Sequence, residues 1–330
     1  MKKRNAAGLQ SDLIYEQYSM AREPMPASEE SEEQLTELPG VCCNEQTENG
    51  IRTVTLRITD ERGETQLGRP RGNYITVFTG PVWKLQSEER AAAVQALSDA
   101  LRTLAGDLRE QKENSGCLFV AGLGNRSITS DSLGPRCTDA LLVTHHLRNQ
   151  TELFSSLGRA DLAALAPGVS GQTGIETAEL LRAAGECIHP RLILAVDALA
   201  ARSTERLDST VQLCDTGIAP GSGIGNHRAS IDQKTLGVPV IAIGVPTMVN
   251  SSTLVRDAWE RAGMEALPDS LENVLESGPQ FFVSRRESDA AIPAMASLIA
   301  EAIEDCFSPA QSQGEETQAY ARYDPPQTGL

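Results

Sequence analysis

From residue 117 onward, short aliphatic runs alternate with stretches whose apolar residues recur at helical spacing. The runs are CLFVAGLG, LAALAPG, RLILAVD, STVQLCD and VPVIAIG. Continuous Val, Ile and Leu runs are typical of strands that are buried on both faces, and such strands form parallel sheets covered by helices. Helices are expected near residues 141–147, 174–186 and 253–263, with a short ALAARS helix directly after Asp197. The pattern predicts an α/β domain with a mostly parallel sheet and helices on both faces.

The chain before residue 117 has a different pattern, which predicts a β-rich N-terminal extension. Residues 51–59 alternate apolar and polar positions, and residues 73–78 form a second β-rich run. The ERGE sequence at 61–64 is expected to be a turn between them. An amphipathic helix follows, with one apolar stripe formed by Val94, Leu97, Leu101, Leu104 and Leu108.

Residues 1–40 at the start of the chain are expected to be poorly structured. Residues 1–40 include the acidic run ASEESEEQLTEL, whose like charges resist packing. A last amphipathic helix is predicted over residues 287–306, and the tail at 308–330 is expected to be mobile. The residues of this last helix that should face inward are Met295, Leu298, Ile299, Ala302 and Ile303.

Composition narrows the class of protein. The 330 residues are 40% hydrophobic but only 4% aromatic, so the core should be aliphatic. A formal net charge of −16 argues against direct binding to nucleic acid. The seven cysteines show no CxxC pair, which favours reduced thiols in a cytoplasm. No apolar run reaches the length of a membrane-spanning helix.

The stretch LFVAGLGNRSITSDSLGP begins like the phosphate-binding turn of a nucleotide fold. Gly122 and Gly124 supply the first two glycines of that turn, but Ser127 stands where the third is required. Asp131 follows at the start of the next helix, where a carboxylate would repel a phosphate. The turn is therefore expected to hold something other than a nucleotide.

Carboxylates follow several of the buried runs. Asp197 ends LILAVD, Asp215 ends STVQLCD, Asp131 follows GLGN, and Glu176 lies in GVSGQTGIE. Functional groups gather at the carboxyl ends of parallel strands, so these side chains should share one sheet edge. A single aspartate there usually caps a helix or a turn, but several converging acids favour a functional site. Two chemistries stay open: a pair of acids whose pKa values are pushed apart, or an acidic metal site.

The loop DTGIAPGSGIGNHR at residues 215–228 is rich in glycine. Gly217, Gly221, Gly223 and Gly225 can expose backbone N–H groups to an oxyanion or lie against an extended peptide. The alternative is a plain surface loop.

Three other chemistries are disfavoured. The GVSGQ sequence at 168–172 has Gln where a nucleophile elbow needs its last Gly. Cys137 and His145 are eight residues apart along one expected helix, a rise of about 12 Å that is too long for a hydrogen bond. His145 and His146 are adjacent and point to different faces, and there is no HExxH motif, so a zinc pair is not expected.

Five segments together resemble the spore germination protease family, the endopeptidases that degrade small acid-soluble spore proteins. These segments are GLGNRSITSDSLGP, APGVSGQTGIET, AVDALAARSTERL, DTGIAPGSGIGNHR and LGVPVIAIGVPT. They are distributed over about residues 117–250 and occur in the family's order. The resemblance weakens before residue 50, and the segment 265–280 is shorter than in longer family members.

The resemblance implies a fold similar to that of hydrogenase maturation endopeptidases and an aspartate-based mechanism. Asp131 and Asp197 match the two aspartates thought essential in the family, so they are the expected catalytic residues. One would activate water while the other protonates the leaving amine. No cofactor and no metal ligand are assigned, although the need for a metal stays open. The expected substrate-binding residues are Glu176, Gly217, Gly221, Gly223 and Gly225.

The family is also made as a zymogen, and its self-cleavage site resembles SDLI at residues 11–14. The resemblance therefore implies a propeptide at residues 1–12, a cut between Asp12 and Leu13, and a single peptidase domain at 13–307. It further implies a homotetramer in the cytoplasm of the spore core. A second hypothesis is a non-catalytic or metal-sensing relative that binds a protein partner at the same sheet edge.

Overall fold

The computed structural model describes residues 11–22, 38–109, 116–221, 229–264, 267–278 and 281–308. Nine strands occur within these residues: β1 (Val41–Glu48), β2 (Ile51–Ile58), β3 (Gly72–Phe78), β4 (Leu118–Gly122), β5 (Leu162–Leu165), β6 (Leu192–Ala201), β7 (Thr210–Cys214), β8 (Val240–Asn250) and β9 (Phe282–Val283). The same residues contain eleven α-helices: α1 (Ile14–Ala21), α2 (Glu61–Leu67), α3 (Ser87–Ala105), α4 (Leu133–Ala140), α5 (Thr151–Leu157), α6 (Ser170–Thr173), α7 (Thr177–Ile188), α8 (Gln233–Leu236), α9 (Ser251–Arg261), α10 (Asp269–Ser277) and α11 (Ser288–Phe307).

All strands join one mixed sheet in the order β1-β2-β3-β7-β8-β6-β4-β5, with β9 paired to the end of β8. The strands β5, β4, β6 and β8 are parallel. The strands β1, β2, β3 and β7 pair antiparallel, and β7 is also antiparallel to β8. This arrangement confirms the predicted α/β class with a β-rich N-terminal extension. The sheet is mixed and not mostly parallel as predicted, because three strand pairs among the described residues are parallel and five are antiparallel.

Strand β7 was expected to run parallel like the other aliphatic runs, and this expectation is wrong. Only residues 202–209 connect β6 to β7. A parallel crossover needs a dozen or more residues, so a connection this short returns the chain antiparallel.

Helices cover both faces of the sheet, as predicted. Alternate residues of β4 point to opposite sides, with Leu118 and Val120 in one core and Phe119 and Ala121 in the other. The first core contains residues of α3, α4 and α11, and the second contains Leu181 of α7. The five residues predicted to face inward from the last helix are all buried: Met295, Leu298, Ile299, Ala302 and Ile303.

The N-terminal region is more ordered than its composition suggests. Residues 11–22 were expected to be poorly structured, but α1 packs Ile14 and Tyr18 against Val54 and Leu56 of β2. The acidic run and residues 1–10 lie outside the described residues. The third buried residue of this short helix, Glu16, accepts hydrogen bonds from the backbone N–H groups of Arg202 and Ser203, so apolar contacts and hydrogen bonds together dock the helix on the sheet.

Residues 61–64 form the start of helix α2 rather than the expected turn. Asp60 is the N-cap, and its carboxylate accepts hydrogen bonds from the backbone N–H groups of Arg62 and Gly63. Such a cap satisfies donors that a helix start otherwise leaves unpaired. The same acidic and glycine-containing sequence that suggests a turn therefore begins a helix.

The helix expected at 141–147 is displaced toward the N-terminus. Helix α4 ends at Ala140, and Leu141 is extended. The Thr144 hydroxyl donates to the Ala160 carbonyl at 2.6 Å, and the Thr144 N–H donates to the Leu162 carbonyl at 2.9 Å. These bonds tie the chain to the start of β5, so only a single 3₁₀ turn forms at His145–Leu147.

The ALAARS helix expected after Asp197 is absent, because β6 continues to Ala201. Ala198 pairs with Val245 of β8, and Ala201 pairs with Val249 after a register shift. Asp197 consequently lies inside a strand and not at its end. The helices expected near 174–186 and 253–263 are found as α7 and α9.

None of the described helices is long and apolar enough to cross a membrane. All seven cysteines lie in described segments and are free thiols.

One buried carboxyl group belongs to the fold and not to the cavities described below. Asp208 is only 1% exposed and has a backbone φ of 55°. Its Oδ2 accepts a hydrogen bond of 3.4 Å from the Ser288 hydroxyl at the start of α11, while Oδ1 has no partner among the described residues. Burial raises the pKa of Asp208 to about 6, against the opposing effect of Arg285.

The raised pKa of Asp208 predicts a pH-dependent stability that Asp208→Asn should remove. The protonated carboxyl stabilises the fold at low pH, and this contribution is lost as the pH rises through about 6. The neutral variant should therefore gain about 1–2 kcal/mol of unfolding free energy over wild type between pH 5 and pH 8. Urea denaturation at the two pH values measures this difference. If the difference in unfolding free energy between the variant and wild type were the same at both pH values, Asp208 would have its ordinary pKa. Asparagine is chosen as the replacement because it tolerates the positive φ of this position.

Candidate active site

The glycine turn after β4 holds the carboxylate of Asp131. The backbone N–H of Asn125 donates to Asp131 Oδ2 at 2.8 Å, and the N–H of Asp131 donates to the Ile128 carbonyl at 2.9 Å. The Thr247 hydroxyl on β8 donates to the carbonyl of Ser130. The turn therefore binds a carboxylate of its own chain in the position where a nucleotide fold would bind a phosphate.

Gly124 makes this arrangement possible. Its φ is +108°, a conformation that residues with a side chain rarely adopt. A Cβ atom at this position would overlap the Asp131 carbonyl oxygen and lie 2.9 Å from Asp131 Oδ1. The absent side chain thus allows the loop to close on Asp131.

The second expected catalytic residue, Asp197, lies within β6 and is 5% exposed. Its Oδ1 accepts a hydrogen bond of 2.9 Å from the N–H of Ala198, and its backbone is paired with Gly244 of β8. Burying a carboxylate costs free energy unless the group is paired or has a function. The position of Asp197 in the middle of the sheet therefore favours a functional role.

Asp131 and Asp197 line one cavity of about 260 Å³. Asp12 and Gly221 also line it, so four of the residues singled out in the sequence meet here. Much of the remaining wall is apolar, with Leu123, Leu199, Met248 and Phe282 among its residues. A mostly apolar cavity with a few convergent polar groups is the usual form of a binding or catalytic site.

Other expected site residues are placed differently. Gly217 lines an adjoining cavity of about 160 Å³, whereas Gly223 and Gly225 lie outside the described residues. Glu176 is exposed at the N-cap of α7, and its neighbour Thr177 lines the larger cavity instead.

Asp215 was expected at the same sheet edge as the other acids, and this expectation is wrong. Because β7 runs antiparallel, its carboxyl end points away from that edge. The Asp215 carboxylate instead accepts hydrogen bonds from the backbone N–H and the side-chain amide of Asn73, at 2.8 and 2.6 Å. It therefore joins β7 to the start of β3.

The N-terminal segment forms part of the wall of the larger cavity through Asp12. The N–H of Asp12 donates to the Ala200 carbonyl at 2.9 Å, and the N–H of Ala200 donates to Asp12 Oδ2 at 3.0 Å. Leu13 is 1% exposed and packs in a cluster with Leu199, Leu207 and Val249. The segment is thus hydrogen-bonded to the end of β6 just before α1 begins, with Asp12 in the cavity wall and Leu13 in an apolar cluster.

Several side chains around the site were not singled out in the sequence. Gln172 donates to Asn125 Oδ1 at 2.8 Å and so braces the turn that holds Asp131. Gln212 and Arg69 both contact the Asp12 segment. A glutamine inside the buried run STVQLCD was the one visible signal, because a polar side chain in a buried strand needs a partner. No pattern in the sequence points to Arg69.

A thiol mechanism finds no support in the geometry. Burial raises the pKa of Cys137 to about 12, which suppresses the reactive thiolate. His145 lies on a separate turn, and its Nδ1 is 2.7 Å from Asp161 Oδ1. Among the described residues, no three His, Cys, Asp or Glu side chains are grouped as ligands for a metal ion.

Solved structures that align with this chain include two hydrogenase maturation proteases. HycI from Thermococcus kodakarensis KOD1 aligns with 59% of this chain and 94% of its own, at 16% identity and a TM-score of 0.33. HybD from E. coli aligns with 52% of this chain and 99% of its own, at 18% identity and a TM-score of 0.24.

Proteins related by sequence are more similar to this chain than these solved structures are. The family model described as germination protease matches residues 17–261. The germination protease of Caldanaerobacter subterraneus subsp. tengcongensis is 41% identical over 255 residues, which are 77% of this chain and 73% of the relative. Those of Oceanobacillus iheyensis and Priestia megaterium are 43% and 37% identical, over 76% of this chain and 66% and 65% of their own lengths. The chain therefore belongs to the germination protease family and is an endopeptidase.

Proposed function

We propose that this chain is made as a zymogen, cleaves itself between Asp12 and Leu13, and then degrades small acid-soluble spore proteins with Asp131 and Asp197 as paired acids. The observation that carries the proposal is the position of the N-terminal segment. Asp12 lines the same cavity as Asp131 and Asp197, and Leu13 after it packs in an apolar cluster. An enzyme poised to cut its own chain would hold the bond in this way.

In this mechanism the two carboxyl groups divide the proton transfers. The ionised one takes a proton from a water molecule, whose oxygen attacks the carbonyl carbon of the substrate. The protonated one donates its proton to the leaving nitrogen as the C–N bond breaks. The products are a carboxyl group and a free amine. The pair still holds one proton, now on the other carboxyl group, and exchange with solvent restores the starting arrangement. Both acids line one largely apolar cavity, which is the arrangement that a paired-acid mechanism requires.

The docked segment also supports a substrate preference. A substrate with an acidic residue before the cut and an aliphatic residue after it would reproduce the contacts of Asp12 and Leu13. Gly217 and Gly221 line the two adjoining cavities and are proposed to lie against the substrate backbone. Gly223 and Gly225 are proposed to do the same farther along the loop, and the exposed Glu176 to contact a substrate residue away from the cut. The homotetramer and the location in the spore core belong to the same proposal.

Cleavage of an authentic substrate tests the proposal. The full-length chain, first held at mildly acidic pH, is mixed with a purified small acid-soluble spore protein, and fragments are identified by mass. Internal cuts after an acidic residue are expected. A partner that is bound but left intact would instead indicate a non-catalytic relative that uses the same sheet edge for binding. A matched sample of Asp131→Asn excludes a contaminating protease as the source of the fragments.

A further inference from the structure

Two side chains donate hydrogen bonds to a single carbonyl oxygen in the N-terminal segment. Arg69 Nη2 lies 3.0 Å from the Asp12 carbonyl oxygen, and Gln212 Nε2 lies 3.2 Å from it. This oxygen belongs to the peptide bond between Asp12 and Leu13. One of the two donors carries a full positive charge, and charge-assisted hydrogen bonds are stronger than neutral ones.

The orientation of Gln212 is fixed by its second partner. Its Oε1 accepts a hydrogen bond of 2.7 Å from the backbone N–H of Ile14. A reversed amide would oppose acceptor to acceptor at Asp12 and donor to donor at Ile14, so only one orientation satisfies both contacts. Gln212 lies on β7 and is 9% exposed. Its side-chain amide binds backbone groups on both sides of Leu13, namely the Asp12 carbonyl and the Ile14 N–H.

The acids and the donors reach Asp12 from two adjoining cavities. Asp131 and Asp197 line the larger cavity, whereas Arg69 and Gln212 line the smaller one. Asp12 lines both. Asp12 is therefore the residue at which a cavity with groups that can activate water meets a cavity with groups that can bind a carbonyl oxygen.

We propose that Arg69 and Gln212 form the oxyanion-binding site for hydrolysis of the Asp12–Leu13 bond, a role that rests on the self-cleavage proposed above. When water attacks the Asp12 carbonyl carbon, the C=O electron pair moves to the oxygen, which becomes negatively charged. The Arg69 guanidinium and the Gln212 amide already face this oxygen and stabilise the charge as it forms. The pair then returns to the carbonyl as the bond to the Leu13 nitrogen breaks, and the nitrogen takes its proton from the acid pair.

The rival explanation is that these hydrogen bonds only anchor the segment, and the chain offers a matched control for it. Gln17 Nε2 donates to the carbonyl oxygen of Ser11 at 3.1 Å, one residue before the bond to be cut. Gln17 Oε1 accepts from Arg69 Nε at 3.4 Å. A Gln-to-Glu change at either glutamine keeps the acceptor bond and removes the donor to a carbonyl. Only at Gln212 does the lost donor face the carbonyl that is cleaved.

The experiment compares the rate at which full-length wild type, Gln212→Glu and Gln17→Glu lose residues 1–12, followed by intact mass over a range of mildly acidic pH. Gln212→Glu should be slower than wild type by about 10²-fold, the usual effect of losing one oxyanion donor. Its rate relative to wild type should recover at lower pH, because a protonated glutamic acid regains a donor. Gln17→Glu should stay within a few-fold of wild type at every pH.

Arg69 provides a second variant that does not alter the sheet. Its side chain is partly exposed in the loop before β3, so Arg69→Met is expected to fold. Self-cleavage should slow about 10²-fold in Arg69→Met, with partial recovery in Arg69→Lys, which keeps a charged donor. Thermal melts of all variants check the fold.

The outcomes separate this inference from the proposed function. If wild type never loses residues 1–12, self-cleavage itself fails, and the oxyanion site with it. If wild type loses residues 1–12 and Gln212→Glu and Arg69→Met lose them at the same rate, self-cleavage is supported and the oxyanion site is overturned. The oxyanion site would also be overturned if self-cleavage slowed equally in Gln17→Glu and Gln212→Glu and the rate of Gln212→Glu did not recover at lower pH. Both glutamines would then only anchor the segment.

Discussion

Asp131→Asn and Asp197→Asn should each lower the rate of substrate cleavage by at least about 10³-fold, because each removes one of the two groups that transfer protons. The fold should survive both changes. An asparagine retains an oxygen that can accept the N–H of Asn125 at position 131 or the N–H of Ala198 at position 197. Initial rates of cleavage of a small acid-soluble spore protein measure the effect, and thermal melts check the fold.

Asp215→Asn is the matched control for both variants. Asp215 also follows a buried strand, but its carboxylate binds Asn73 and lines neither of the two cavities. Its replacement should leave the cleavage rate within a few-fold of wild type. If either Asp131→Asn or Asp197→Asn cleaved as fast as Asp215→Asn, the paired-acid mechanism would be wrong.

Gly124→Ala should lower the cleavage rate by about 10²-fold or more, although no functional group is removed. The new Cβ would overlap the Asp131 carbonyl oxygen, so the loop and its carboxylate must move. A shift of about 1 Å in a catalytic group is enough for a loss of that size. Initial rates measure the loss, and the hydrogen bond between Asn125 and Asp131 should be displaced in a crystal structure of the variant.

Gly158→Ala separates this effect from the general cost of a positive φ. Gly158 has a φ of +56°, and no atom lies within 4 Å of the position that its Cβ would take. This variant should lose about 1 kcal/mol of stability and no activity. Equal activity in the two variants would mean that the position of Asp131 does not depend on Gly124.

The hydrophobic pattern predicted the elements that pack the core, since burial on one face repeats at a regular spacing. The stripe in α3 and the five inward residues of α11 follow directly from that spacing. The pattern failed where hydrogen bonds to distant segments decide the structure. Thr144 ends the helical region through contacts with β5, and β6 continues past Asp197 because β8 lies beside it. Neither partner is visible in the local sequence.

The residues of the candidate site could be predicted only in part. Asp131 and Asp197 could be proposed because a carboxylate near a buried aliphatic run needs an explanation and because the family resemblance points to both, and the two residues do line one cavity. Arg69 could not be identified, since it belongs to a short loop that meets Asp12 only after the sheet has assembled. The antiparallel direction of β7 also removed Asp215 from the predicted set. Strand direction follows from the length of a connection, which the run of apolar residues does not encode.

The intact mass of the wild-type chain during incubation at mildly acidic pH tests the central claim most directly. The account predicts that the mass falls by that of residues 1–12 and that Leu13 becomes the new N-terminus. The mass of Asp131→Asn, incubated beside it, should not change. A chain that degrades small acid-soluble spore proteins while keeping residues 1–12, or that is cut at another bond, would contradict it.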